Sequence, residues 1–132
     1  MTEKNRIQWS LFLLRIGVFI VMFVWTLDKF INQEHAVTVY KHFYFMDIEL
    51  SMMTIVGVVE MVIILEFVAG LYKRFTYGFV VIVHGVSTLS SWKQYTVDIN
   101  LLFFAAWPML AACIALYLLR DMDNKWTLSK AK

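Results

Sequence analysis

Cysteine, proline and charge are all scarce in this 132-residue chain. It has one cysteine, Cys113, which excludes an internal disulfide and a cysteine-based metal cluster. Its one proline, Pro108, falls inside an apolar run, where it would kink a helix and free a carbonyl for another partner. Only 17% of the residues are charged, and a net charge of +2 gives no reason to expect a nucleic-acid partner. The opening MTEKNRIQWS leads to no small-residue cleavage site after a short apolar core, so the first apolar run is expected to be retained. No Ser-His-Asp set, phosphate loop, zinc motif, repeat or low-complexity segment is present.

What the chain has instead is hydrophobic mass: 61% of its residues, gathered into long runs. That balance does not suit a soluble domain of this size and predicts an integral membrane protein with a single transmembrane domain. Four spans are expected, at about 9–30, 50–72, 75–92 and 99–119, each near the roughly 20 residues a membrane-crossing helix needs. Runs of this length exclude alternating β-barrel strands. The connection between the second and third spans is very short and imposes a hairpin. The expected fold is therefore all-α, a polytopic membrane protein built as an antiparallel four-helix transmembrane bundle. Lys4 and Arg6, then Lys73 and Arg74, then Arg120, Lys125, Lys130 and Lys132 all fall on one side, which places the N- and C-termini in the cytoplasm. Trp9, Tyr72, Trp92, Tyr95 and Trp126 fall near the expected interfaces. The last dozen residues read as a charged tail.

The loop on the other side, residues 31–49, contains EHAVTVYKHFYFM. On a helix, Val39, Phe43 and Met46 share one side, while His35, Thr38, Lys41 and His42 fall opposite. The pattern predicts a helix lying in the interface or capping the bundle mouth. His35 and His42 are seven apart rather than four, and no metal site is expected from them.

Polar groups inside the spans are the candidates for function, because each is costly in lipid. Glu60 and Glu66 lie well inside the second span, Arg15 in the first and His84 in the third. At the helical rise, Arg15 and Glu66 each sit roughly 9 Å from the same surface, which predicts an ion pair between them, or separate snorkelling to that surface. Glu60 and His84 lie deeper, roughly 18 and 13 Å in, and are expected to meet each other or a polar ligand. Gly57 and Gly70, each about one turn from an acid, would allow close helix approach or room for a ligand. Asn100 opens the fourth span as a cap or interface group.

The run LLRIGVFIVMFVWTLDKF, with Arg15, Gly17 and the ending Asp28-Lys29-Phe30, resembles the first span of DoxX-type membrane proteins. GVVEMVIILEFVAGLYKRF, with Gly57, Glu60, Gly70 and Leu71, is similar to their second span, and NLLFFAAWPMLAACIALYLLRDMDNKWTL to their fourth span and tail. The matched polar positions are Arg15, Asp28, Lys29, Glu60 and Asn100. The resemblance implies a four-helix bundle in the bacterial inner membrane. It also implies a place in a quinone-linked redox or oxidative-stress system, with the bundle binding quinone or a similar lipid-soluble molecule. Glu60 and His84 would then exchange protons or hydrogen bonds with its carbonyl oxygens, with Arg15 balancing charge. With no cysteine pair, haem-ligand pair or soluble redox domain, catalysis by the chain alone is left open. The same polar groups would also suit a non-catalytic subunit or assembly factor holding a membrane-protein partner, or a small transporter built as a homo-oligomer.

Overall fold

The computed structural model describes residues 1–129 and is helical throughout, with no strand among the described residues. Lys130 and Lys132, two of the basic residues used to orient the chain, lie outside the described residues. The first helix, α1 (Glu3–Ile31), is 29 residues long and starts earlier than the apolar run because Thr2 caps it. The Thr2 side chain accepts from the Asn5 amide at 3.2 Å, satisfying one of the open donors of the first turn. A sharp break at Asn32 separates α1 from α2 (Gln33–Tyr44), the expected loop helix. Phe45, left-handed at φ 56°, ends α2.

Next come α3 (Leu50–Val68) and α4 (Lys73–Ser90). Gly70, with φ +70°, and Tyr72, with φ 47°, make the tight reversal between them. Glycine is required at position 70 for a second reason: a Cβ there would lie 2.5 Å from Thr127 Cγ2. A single turn, α5 (Lys93–Thr96), leads to the last apolar run.

That run is not one α-helix kinked in its middle. It begins as a 3-10 segment, Leu101–Ala105, capped by Asn100, whose side chain accepts from the Leu102 amide at 3.1 Å. It continues as α6 (Ala106–Leu118). Pro108 sits in the first turn of α6, where a missing amide hydrogen costs little, so the proline marks where the α-helix starts.

Three helical segments are long and apolar enough to cross a membrane: Glu3–Ile31, Leu50–Val68 and Leu101–Leu118. Their outward faces carry large apolar side chains such as Leu13, Ile20, Ile55, Val62 and Leu118, all exposed. The chain is an integral membrane protein. α4 is comparable in length but carries Lys73, Arg74, His84 and several hydroxyls, and is not among the three.

α1 lies against α3 and α6, and α4 lies against the same two helices. The apolar core sits in the half nearer the termini, where Leu11, Ile64, Phe67, Tyr77, Cys113 and Leu116 are almost fully buried. In this half Phe67 and Tyr77 meet edge to face at 5.0 Å. In the opposite half α2 packs on α1 and α3.

Residues 119–129 are not a free tail, which corrects the sequence expectation for the described part of that segment. A 3-10 turn, Arg120–Met122, reverses the chain, and Asp123 then enters the protein and is wholly buried. The Leu128 amide donates to the Ala69 carbonyl at 2.8 Å, pinning the returning segment to the α3–α4 turn. Trp126 packs edge-on against Trp9 and Phe12, at 5.6 and 4.8 Å. The Lys125 ammonium lies 4.0 Å from the Trp9 ring centre.

Candidate functional site

Three buried polar clusters and two adjoining cavities make up the interior. The first cluster locks the terminal end. Arg15, fully buried, places Nη1 2.6 Å from Asp123 Oδ1, and Nη2 donates to the Lys125 carbonyl at 2.7 Å. The Tyr77 hydroxyl donates to Asp123 Oδ2 at 2.7 Å. Lys73, also buried, donates to the Asp123 carbonyl and to Asn124 Oδ1. The expected Arg15–Glu66 pair is therefore not formed. Asp123 reaches Arg15 from the folded-back segment, and half-buried Glu66 makes no ion pair among the described residues. Depth matches Arg15 to Glu66, but an acid carried in on the returning chain reaches the guanidinium instead, with Arg15 Nε left without a hydrogen-bond partner. This cluster is a structural lock.

The second cluster surrounds Glu60, which is 7% exposed and turned into the protein. Its Oε1 accepts from Lys29 Nζ at 3.2 Å and from Thr26 Oγ1 at 2.8 Å. The expected meeting of Glu60 with His84 does not occur. Lys29, which reads in sequence as the ending of a span, turns back into the protein to neutralise the acid. Nothing in the sequence singles out Thr26, which sits one turn before Lys29 on the same face. Gly57 permits the approach: a Cβ there would lie 2.9 Å from Phe30 Cζ and 3.3 Å from Lys29 Cβ. Tyr40 of α2 places its ring 5.7 Å from the Lys29 ammonium. Burial, with the Glu60 and Tyr44 side chains adding to it, pushes the Tyr40 phenol up to about 12. Nearby, Asp28 and His35 pair at 2.6 Å on the more exposed side.

The third cluster is His84, also fully buried. Its Nε2 lies 2.9 Å from the Ala106 carbonyl, which can only accept, so Nε2 carries the proton. The Thr88 hydroxyl, one turn on, donates to the His84 carbonyl at 2.7 Å. Trp25 stacks on the imidazole at 5.8 Å. Nδ1 has no hydrogen-bond partner.

A cavity of about 520 Å³ runs between α1, α4 and the last apolar run. Its walls are almost entirely apolar: Leu14, Gly17, Val21, Phe103, Ala106 and Met109 among them, with His84 behind. It exists because the residues facing each other there, Gly17 on α1 and Ala105, Ala106 and Ala112 opposite, are small. A Cβ at Gly17 would meet nothing within 4 Å. A second cavity, of about 230 Å³, lies under α2 and is lined by Lys29, Glu60, Tyr40, Asp28 and His35. Trp25, Ser87, Ser91 and Phe103 belong to the walls of both.

The described residues hold no group of three or more metal-ligating side chains, and His35 and His42 do not converge on a common point: His35 pairs with Asp28, and His42 packs edge-on against Phe43. Chemically, the groove can receive an apolar molecule, and the chamber beside it offers hydrogen-bonding groups whose charges are paired, Lys29 with Glu60 and His35 with Asp28. No family model, no characterised protein and no solved structure matches the chain.

Proposed function

We propose that the chain is a DoxX-like component of a quinone-linked redox or oxidative-stress system, set in a bacterial inner membrane as an antiparallel four-helix bundle with both termini in the cytoplasm. In this reading α4 is the fourth crossing. Its contacts with both α3 and α6, and the short turn that joins it to α3, support that assignment. Lys4, Arg6, Arg74 and Arg120 gather at the terminal end, the bias expected of a cytoplasmic face. The exposed aromatic rings of Trp9, Tyr72 and Trp92 suit the two interfaces. The role of the bundle is to bind a lipid-soluble molecule of quinone type.

One observation carries this reading: the apolar groove of about 520 Å³ beside His84. Its volume lies in the range of small-molecule sites, roughly 300–1,000 Å³. A tightly packed structural bundle would have filled it with larger side chains than Gly17 and Ala106.

The test is a titration of the purified protein in detergent with a short-tailed quinone, followed by quenching of tryptophan fluorescence, with Trp25→Phe as the reference for the ring in the groove wall. Gly17→Leu places a side chain in the open space. It should leave the fold intact, since leucine favours a helix interior over glycine by about 1 kcal/mol. Bound ligand is then overpacked by roughly 1–3 kcal/mol, so Kd rises about fivefold to more than a hundredfold. A Gly17→Leu variant that binds as tightly as wild type overturns the reading.

A further inference from the structure

We propose that the chamber under α2 receives the head of the same ligand, an uncharged ring bearing oxygen atoms, while the groove receives its apolar tail. The inference rests on the reading that the groove binds a lipid-soluble molecule.

Continuity is the first argument. Trp25 and Phe103 line both cavities, as do Ser87 and Ser91, so the two spaces meet along a shared wall. The proposal has one amphiphile cross from groove to chamber at these shared residues. Size is the second. An engineered cavity of roughly 150 Å³ takes one benzene molecule. The chamber, at about 230 Å³, suits a single substituted ring and is too small for a ring and a long tail together.

Hydrogen bonding is the third. Glu60 commits only Oε1 to Lys29 and Thr26, which leaves Oε2 to accept from a ligand hydroxyl. Tyr40 lines the same chamber, and its phenol is a donor that a ligand oxygen can accept from. Lys29 donates to Glu60 at 3.2 Å and to the Trp25 carbonyl at 3.5 Å, which leaves one of its three N–H donors for a ligand oxygen. Charge is the fourth. Lys29 and Glu60 compensate each other at 3.2 Å. Asp28 is likewise paired, with His35 at 2.6 Å, so a charged head of either sign would find no unpaired counter-charge among these four side chains. A neutral head with both donor and acceptor oxygens needs none. His84 stands behind Trp25 as a brace for the wall: its Nε2 proton is committed to Ala106, and its ring supports the indole face.

The experiment uses a quinone with a photoreactive azide on the ring and an unmodified tail, added to the full-length protein in native-lipid vesicles. Labelled peptides are mapped by mass spectrometry, with the unmodified quinone as competitor. The proposal expects competable label on residues 39–44 of α2 and 25–29 of α1. It also expects Tyr40→Phe to weaken binding about twofold to tenfold. Competable label confined to the groove, at residues 13–21 and 102–112, overturns this placement while leaving the groove reading intact. Absence of competable label anywhere overturns both.

Discussion

Replacing Asp123 by alanine should do far more damage than its place near the end of the chain suggests. Asp123 is the only carboxylate within ion-pair distance of Arg15 among the described residues, and the two side chains are 0% and 1% exposed. Removing it leaves the guanidinium buried with only the Lys125 and Trp126 carbonyls as partners. A guanidinium cannot escape that cost by losing its proton. Breaking a buried pair from one side costs about 3–5 kcal/mol, and the lost acceptor of the Tyr77 hydroxyl adds roughly 1 kcal/mol. Arg15→Met should cost a similar amount, from the other side of the pair. The double variant removes both charges, so its cost should fall short of the summed single costs by about 2–3 kcal/mol. The assay is unfolding in mixed detergent micelles, followed by far-ultraviolet circular dichroism over a denaturing-detergent titration. Additive single costs, or an Asp123→Ala cost under about 0.5 kcal/mol, would refute the argument that the returning segment is locked by this pair.

The same lock makes Gly70 intolerant. Gly70→Ala forces a side chain into the left-handed region and against Thr127, at a cost of about 1–2 kcal/mol, and should expose the bond after Lys125 to trypsin; unchanged cleavage counts against the docking of Leu128 on Ala69. Tyr40 gives a pH prediction. Its folded pKa of about 12 lies above the unfolded value of 10.0, so the folded state holds its proton more tightly. The stability this contributes is complete below pH 10 and declines as pH rises from 10 toward 12. In an absorbance titration of tyrosinate, Tyr40→Phe should remove one residue's amplitude from the step near 12; loss of amplitude near 10 instead would show Tyr40 open to water.

The helices were legible in sequence because their signals are local: apolar run length for α1, α3 and the last segment, and an amphipathic stripe for α2. The pairing of buried charges was less so. Helical rise gave the depths of Arg15, Glu60 and His84, but depth does not say which residue of another element arrives at the same height. Arg15 found Asp123 because the chain returns after Leu118, a reversal that no periodicity announces. Glu60 found Lys29 because Gly57 lets α1 and α3 come close, and glycine in sequence signals room without saying what fills it. Thr26 and Trp25 looked like ordinary span residues. Their roles, on Glu60 and on His84, are set wholly by neighbours on other helices. The groove was invisible for the same reason: Gly17, Ala105, Ala106 and Ala112 leave a void only because they face one another.

The most direct measurement of the central claim is organic extraction of the protein purified from its own membranes in a mild detergent, with chromatography and mass spectrometry of what is released. Wild type should yield a quinone-type molecule in near-stoichiometric amount, and Gly17→Leu, equally folded, should yield little. A wild-type protein that releases only bulk phospholipid, or a Gly17→Leu variant that retains the same molecule, would contradict the account.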